Sequence, residues 1–148
     1  MTTGSLVRPR AYDILLVEDD AADALLIKDA LLERGQHVIT RVEDGVEALQ
    51  RLQDPRFAHP DLIVMDLNMP RMNGHELLAV LKADAALKVI PVVVLSTSDA
   101  PDDVTGAYAR HANAYVAKPF NLDDFTAAVH NIHTFFFDTA STVPRTEG

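Results

Sequence analysis

The chain has 148 residues, the size of one ordinary domain, and 48% of them are hydrophobic, which is enough to form a core. Its formal net charge of −9 leaves no basic stripe to neutralise a phosphate backbone, so the composition excludes nucleic-acid binding. The chain has no cysteine for disulfides, no apolar run long enough to span a membrane and no apolar stretch typical of a secretion signal, so we expect a cytoplasmic protein.

Five segments of strand length alternate with helical patterns along the chain. Continuous apolar runs at residues 14–17, 62–65 and 92–95 are typical of strands buried on both faces of a parallel sheet. A weaker second strand is predicted at residues 37–42 and a short fifth strand at residues 114–117. The alternation predicts an α/β fold with a doubly wound five-stranded parallel sheet, right-handed crossovers and helices on both faces.

Five helices are predicted to follow these strands, at residues 21–34, 46–53, 75–83, 101–110 and 122–136. Gly35 is expected to end the first helix as a C-cap glycine, and Ser98 and Asp99 are cap candidates for the fourth. The last helix carries apolar side chains at spacings that predict one face against the sheet: Leu122, Phe125, Val129, Ile132 and Phe136.

Polar side chains follow four of the five predicted strands. Ligands of doubly wound sheets bind beyond the carboxyl ends of the strands, so chemistry is expected at these positions. They are Glu18, Asp19 and Asp20 after the first strand, Asp66 after the third, Ser96 and Thr97 after the fourth, and Lys118 with Pro119 after the fifth. Each alone has an ordinary structural interpretation, such as a helix cap for Asp20, a turn hydroxyl for Ser96 or a solvated lysine for Lys118.

Taken together, these side chains fit one kind of chemistry. Clustered carboxylates repel one another unless a cation lies among them, and hard oxygen ligands suit Mg²⁺. A carboxylate beside a metal ion and a lysine can accept a phosphoryl group, because both cations neutralise the transferring oxygens. The set therefore predicts a phosphoryl-accepting carboxylate.

The same residues resemble the signature of response-regulator receiver domains of the chemotaxis-regulator type. The resemblance covers residues 12–135 and rests on four blocks in matching order: Val17-Glu18-Asp19, Asp66-Leu67-Asn68-Met69-Pro70 with Gly74, Ser96, and Lys118-Pro119. It implies the flavodoxin-like strand order 2-1-3-4-5. We expect a flexible segment at residues 1–11, a receiver domain at 12–135 and an extension at 136–148 that serves as a dimerisation arm.

The resemblance implies a metal site for Mg²⁺ or Mn²⁺ beside the phospho-acceptor. Asp66 resembles the phospho-acceptor and also a metal ligand. Asp19 resembles the direct metal ligand, and Glu18 the acidic neighbour that acts through water. Asn68 stands where the family offers a backbone carbonyl to the metal.

The resemblance also implies a lysine and two switch residues. Lys118 matches the catalytic lysine, and the bond from it to Pro119 is cis in the family. Ser96 matches the switch hydroxyl that binds a phosphoryl oxygen, and Tyr115 stands at the aromatic switch position. One departure is His111, which stands where receivers usually have a glycine; a left-handed backbone there would cost a histidine about 1 kcal/mol.

A narrower resemblance links the chain to stand-alone response regulators that pair with bacterial phytochromes. It rests on five short blocks: residues 42–49, 66–74 and 96–99, Ala107-Tyr108, and Ala112-Asn113 with Tyr115. It implies a sensor histidine kinase, of the phytochrome type, as partner. In that subgroup a C-terminal extension often forms a homodimer, which suits Phe135, Phe137 and Val143, since these have no evident burial within the chain.

We therefore expect a phosphorylation-controlled interaction module of a two-component system. It is expected not to be an enzyme beyond self-phosphorylation and slow autodephosphorylation, because the 13 residues after Phe135 are too few for an effector domain. A phosphate sink or phosphorelay intermediate without its own output is the alternative. A flavin carrier would need a phosphate-binding loop in place of Glu18-Asp19-Asp20, and an aspartate phosphatase would need an Asp-x-Asp-x-Thr motif there.

Overall fold

The protein is described by a computed structural model that covers residues 11–139. Five parallel strands form one sheet in the order β2-β1-β3-β4-β5. The elements in chain order are β1 (Asp13–Val17), α1 (Ala21–Leu32), β2 (Val38–Val42), α2 (Gly45–Gln53), β3 (Leu62–Met65), α3 (Gly74–Ala83), β4 (Val92–Ser96), α4 (Pro101–Ala109), β5 (Ala114–Ala117), α5 (Leu122–His133) and a π-helical segment (Thr134–Thr139). The predicted fold class and strand order are confirmed.

Two apolar layers enclose the sheet because neighbouring residues of a strand point to opposite faces. Ile14 and Leu16 pack in the layer that holds α1 and α5, and Leu15 and Val17 pack in the layer that holds α2, α3 and α4. β1, β3 and β4 are buried along their whole apolar runs. None of the helices between residues 11 and 139 has the length and apolarity that a bilayer span requires.

Helix ends differ from the sequence predictions at two places. The helix α1 ends at Leu32 with Glu33 as its C-cap, and Gly35 has no positive φ, so the predicted glycine cap is wrong. A Cβ on Gly35 would lie 2.8 Å from Nε2 of His37, so the glycine leaves room for that ring. The helix α4 has Ala100 as its N-cap, without a side-chain cap bond, in place of Ser98 or Asp99.

The left-handed backbone considered at His111 is present. His111 follows α4 with φ of 67°, a region that disfavours residues with a Cβ although histidine tolerates it better than most. Ala112 then donates its N–H to the carbonyl of Ala107 at 3.0 Å, which closes the end of the helix.

The buried face of α5 differs from the prediction at the N-terminal end of the helix. Phe125, Val129, Ile132 and Phe136 are buried, but Leu122 is 57% exposed, so its predicted place in the core is wrong. Leu122 is the first residue of α5 and follows Phe120, which is fully exposed, so this end of the helix projects beyond the apolar layer.

The three consecutive phenylalanines have three different environments. Phe135 is 53% exposed, as expected, and Phe136 is buried. Phe137 is partly buried and stacks on Tyr12 with 3.9 Å between ring centroids, so the expectation that it lacks burial within the chain is wrong. Val143 and the rest of residues 140–148 lie outside the described residues.

Beside Phe137, two buried histidines form a hydrogen bond that the sequence did not predict. Nε2 of His37 and Nε2 of His133 are 2.8 Å apart. Because the Tyr12 N–H donates to Nδ1 of His37 at 3.1 Å, the proton of His37 is on Nε2 and His133 accepts it. The proton of His133 is then on Nδ1, 3.5 Å from Oδ2 of Asp138. His133, in the last turn of α5, is 5% exposed.

This neutral pair predicts a loss of stability in mild acid. Burial lowers the pKa of both His37 and His133, so between their folded pKa values and 6.5 the unfolded chain binds more protons than the folded one. Stability from the pair is complete above about pH 6.5 and is lost as the pH falls below it. Urea denaturation measures the free energy of unfolding at each pH. Between pH 7.5 and 5.5 we expect this free energy to fall by on the order of 1 kcal/mol more in the wild type than in His133→Gln, which keeps an acceptor but does not titrate. His59→Gln, at an exposed site, is the control, and equal losses in wild type and His133→Gln would contradict the prediction.

Candidate functional site

Three carboxylates meet at the carboxyl edge of the sheet. The strands β1 and β3 are neighbours with Val17 opposite Met65, so the residues that follow them, Glu18 and Asp66, are brought side by side. With Asp19, they each offer an oxygen within 4.8 Å of the others. Glu18 and Asp66 are buried and Asp19 is exposed, so the cluster opens to solvent on one side.

Burial and the neighbouring negative charge disfavour the ionised form of Glu18 in this cluster. Burial is the main reason that the pKa of Glu18 is raised to about 7, and the charge of Asp66 adds to the rise against the opposing effect of Lys118. A divalent cation among the three carboxylates would offset this repulsion and favour the ionised form. Hard oxygen donors grouped in this way fit Mg²⁺ or Mn²⁺.

Lys118 provides the positive charge of the site. Its Nζ donates to Oε1 of Glu18 at 2.6 Å, to Oδ2 of Asp23 at 2.8 Å and to Oδ2 of Asp66 at 3.3 Å. Burial lowers the pKa of Lys118, but the bonds to Asp23 and Glu18 outweigh burial and raise the pKa above its usual value. The bond between Lys118 and Pro119 is trans, so the cis bond implied by the resemblance is not found.

Asp66 is held with its two oxygens in different environments. Oδ1 accepts the N–H of Leu67 at 2.7 Å and the N–H of Asn68 at 3.4 Å, while Oδ2 faces Lys118. A Cβ on Gly74 would lie 2.6 Å from the carbonyl oxygen of Asp66, so only glycine lets α3 begin this close to the carboxylate.

A second ion pair supports the loop between Asp66 and α3. Nε of Arg71 donates to Oδ2 of Asp44 at 2.7 Å, and Arg71 has a left-handed backbone with φ of 61°. Burial raises the pKa of Asp44, but its bonds to Arg71 and to the backbone of Glu47 outweigh burial and lower the pKa overall. Gly45 also donates its N–H to the carbonyl of Met72 at 3.1 Å. These bonds fix the loop that carries Asn68.

The two predicted switch residues lie at the ends of neighbouring strands. Ser96 is fully buried at the end of β4, and its carbonyl accepts the N–H of Lys118 at 2.7 Å. Tyr115, in β5, donates its hydroxyl to the carbonyl oxygen of Ser98 at 2.5 Å. The pKa of Tyr115 is raised mainly by burial. Ser96 and Tyr115 are therefore both joined to the loop between β4 and α4.

The structure also adds two residues that the sequence interpretation missed. Asp23, in the first turn of α1, is a partner of Lys118, and its place one helical turn after Asp19 was a signal that could have shown this. Arg41 in β2 donates from Nε to the carbonyl of Glu18 and from Nη2 to the carbonyl of Asp19, both at 3.0 Å. Arg41 therefore holds the backbone that carries two of the three clustered carboxylates.

The arrangement can bind a divalent cation and place a carboxylate oxygen beside it. Six predicted site residues lie at this edge of the sheet or on the loops that leave it: Glu18, Asp19, Asp66, Asn68, Ser96 and Lys118. Tyr115 lies within β5, and its hydroxyl reaches the loop after β4. A group with negative oxygens would meet both the cation and Lys118 there, which is the electrostatic environment that phosphoryl transfer requires.

Comparison with known proteins identifies relatives that cover nearly the whole chain. A model of the family described as response regulator receiver domain matches residues 14–130. The chain is 40% identical to the response regulator Rcp1 of Synechocystis sp. over 133 residues, which cover 86% of this chain and 90% of Rcp1. It is 38% identical to the probable methanogenesis regulatory protein FilR2 of Methanothrix harundinacea over 129 residues, 84% of this chain and 83% of FilR2.

Solved structures show the same similarity. The Mn²⁺-bound form of the response regulator Rcp1 has a TM-score of 0.85 and 38% identity, with 90% of this chain and 99% of that chain covered. The phosphorylated cyanobacterial phytochrome response regulator RcpA has a TM-score of 0.86 and 41% identity, with 91% and 100% covered. Bound Mn²⁺ in the first relative and phosphorylation of the second are both compatible with the geometry of the carboxylate cluster.

Proposed function

The chain belongs to the response regulator receiver family, and on that premise we propose that it accepts a phosphoryl group from a histidine kinase on Asp66, assisted by a divalent metal ion. The observation that carries this proposal is the position of Asp66, which lies within 4.8 Å of two further carboxylates and 3.3 Å from Nζ of Lys118. Asp66 is buried, with Oδ1 held by the backbone N–H groups of Leu67 and Asn68 and Oδ2 beside the lysine.

In the proposed reaction an oxygen of Asp66 attacks the phosphorus of a phosphorylated histidine. The oxygen–phosphorus bond forms, the phosphorus–nitrogen bond to the imidazole breaks, and the imidazole takes up a proton as it leaves. Lys118 neutralises the transferring oxygens, and the Ser96 hydroxyl donates a hydrogen bond to one of them. Tyr115 then responds through the loop between β4 and α4.

The metal ion would be held by Asp19 and Asp66 directly, by Glu18 through water and by the backbone carbonyl of Asn68. When bound, Mg²⁺ or Mn²⁺ supplies positive charge to the phosphoryl oxygens. The acidic cluster of this chain and the Mn²⁺-bound form of Rcp1 support this assignment.

Metal dependence tests the proposed function. We expect millimolar Mg²⁺ to raise the melting temperature of the wild type by about 3 °C or more, because a ligand bound only by the folded state stabilises it. Phosphoryl uptake from acetyl phosphate should require the metal and stop when EDTA is added. Asp19→Asn should raise the melting temperature of the metal-free chain and reduce the Mg²⁺ response, since it removes one of the repelling charges.

Asp29→Asn on the exposed side of α1 is the matched control, because it removes the same charge away from the cluster. It should leave the Mg²⁺ response unchanged. Equal melting temperatures of the wild type with and without Mg²⁺ would count against the site, and metal-independent phosphorylation would count against the reaction.

The partner we propose is a sensor histidine kinase of the phytochrome type. The similarity to the cyanobacterial phytochrome response regulator RcpA supports this choice. The proposed location is the cytoplasm. We propose that the protein is a signalling module and not an enzyme with turnover on other substrates. The alternative to a signalling role is a phosphate sink or a phosphorelay intermediate.

We further propose that the protein is a homodimer in which the part of the extension 136–148 that follows Thr139 serves as an arm, and that it binds no nucleic acid. The exposed Phe135 directly before this extension supports the dimer. The net charge of −9 supports the absence of nucleic-acid binding.

A further inference from the structure

A chain of hydrogen bonds joins helix α3 to the loop that follows β4. Nε2 of His75, at the start of α3, lies 3.2 Å from Oδ1 of Asp103 in α4. The other oxygen of Asp103, Oδ2, accepts the hydroxyl of Ser98 at 2.5 Å. We call these contacts the His75–Asp103–Ser98 bridge, and none of its three residues is part of the phosphoryl-acceptor site described above.

Ser98 connects this bridge to both proposed switch residues. Its carbonyl oxygen accepts the hydroxyl of Tyr115 at 2.5 Å. Its backbone N–H donates to Oγ of Ser96 at 3.3 Å. The position of Ser98 therefore determines whether the Tyr115 hydroxyl has its acceptor.

Asp103 is a charged and well-satisfied acceptor in this arrangement. Two hydrogen bonds hold the pKa of Asp103 below its usual value: the bond from Ser98 has the larger effect and the bond from His75 the smaller. Hydrogen bonds to a charged acceptor are stronger than those between neutral groups, so Asp103 can fix the rotamer of Ser98 and the course of its loop.

His75 is placed by the shape of α4. A Cβ on Gly106 would lie 3.1 Å from Cε1 of His75, so the glycine leaves the space that the ring needs. Nδ1 of His75 is buried without a hydrogen-bond partner among the residues that the structure describes, so Asp103 is the acceptor that orients the ring. The orientation of the His75 ring is therefore determined by Gly106 and Asp103.

We propose that Asp103 is a positioning residue of the tyrosine switch: with His75 it holds Ser98 so that the Ser98 carbonyl keeps its hydrogen bond with the hydroxyl of Tyr115. This inference rests on the proposed function, in which Tyr115 responds to phosphorylation of Asp66. If transfer proceeds from the arrangement that the bridge holds, losing the bridge lowers the population of that arrangement and should slow phosphorylation.

The test follows Tyr115 directly in the full chain. The protein has three tyrosines, so incorporation of 3-fluorotyrosine gives three ¹⁹F signals, and Tyr115→Phe assigns the relevant one. The variants are Asp103→Asn and Ser98→Ala, which weaken the bridge, and Ser98→Thr, which keeps the hydroxyl. Asp102→Asn is the matched control, because it removes the same charge from the first turn of α4 at an exposed position.

We expect Asp103→Asn and Ser98→Ala to move or broaden the Tyr115 signal, and Ser98→Thr and Asp102→Asn to keep the wild-type spectrum. With Mg²⁺ and limiting acetyl phosphate, the initial rate of phosphorylation should fall about threefold in the first two variants with the final extent unchanged, as expected for losing part of one hydrogen bond. A Tyr115 signal unaffected by a folded Asp103→Asn protein or by Ser98→Ala, or shifted equally by Ser98→Thr, would overturn the proposal.

Two further comparisons separate a failure of this proposal from a failure of folding or of the proposed function. If Asp103→Asn does not fold, as its melting curve would show, the comparison of Ser98→Ala with Ser98→Thr decides the question. If the wild type takes up no phosphoryl group, the proposed function fails, while the ¹⁹F spectra still show whether the bridge positions Tyr115.

Discussion

An Asp66→Asn chain should take up no phosphoryl group from a phosphorylated histidine kinase or from acetyl phosphate. An amide oxygen is a poor nucleophile, and the amide brings no negative charge to the metal site, so we expect the rate to fall by on the order of 10⁴-fold or more. The geometry should survive, because an asparagine oxygen can still accept the N–H of Leu67. The measurement is the mass gain of one phosphoryl group on the intact protein after a fixed time with donor and Mg²⁺.

Asp20→Asn is the control for this experiment. Asp20 is exposed beside the cluster and caps α1 by accepting the N–H of Asp23 at 2.9 Å, a role that asparagine fills equally well. It should be phosphorylated to the wild-type extent. Phosphorylation of Asp66→Asn at another residue, to the same extent as the wild type, would disprove the assignment of Asp66 as the acceptor.

The position of the site could be predicted because the strand order determines it. Once β1, β3 and β5 are parallel in one sheet, the residues after Val17, Met65 and Ala117 must emerge at the same edge. The individual bonds could not be predicted, since Lys118 finds Asp23 across 95 residues and only the packing of α1 decides that distance. The role of Arg41 could not be predicted either, because its acceptors are backbone carbonyls that leave no pattern in the sequence.

The errors in the fold arise where a local sequence pattern does not determine what surrounds a side chain in three dimensions. Periodicity placed Leu122 in the core, but α5 begins beyond the sheet there and the side chain remains in solvent. Phe137 is partly buried because Tyr12, at the opposite end of the chain, provides a ring to stack on. Gly35 was interpreted by its usual role at helix ends, whereas its function here is to leave space for His37.

The burial of these rings changes how the proposed dimer can form. Of Phe135, Phe136 and Phe137, only Phe135 keeps a largely exposed ring, which contacts the edge of Phe136 with centroids 5.0 Å apart. Shortening the chain to Thr134 would remove the buried Phe136 from the core and test stability instead of assembly. A sharper test therefore leaves the π-helical segment intact and changes only Phe135 or the residues after Thr139.

We expect sedimentation of the full chain to show a dimer at micromolar concentration, and Phe135→Ser to weaken association about tenfold or more. The reason is that burying the exposed half of the ring contributes roughly 1.5 kcal/mol, which corresponds to a factor of about ten in Kd. If residues 140–148 form the arm, a chain that ends at Thr139 should have a dimer Kd at least as high as that of Phe135→Ser. Leu25→Ser is the control, since this side chain is similarly exposed, at 59%, on α1. If the wild type, Phe135→Ser and the shortened chain sediment alike, Phe135 and the extension do not hold a dimer, and the resemblance to the arm-bearing phytochrome regulators loses its structural support.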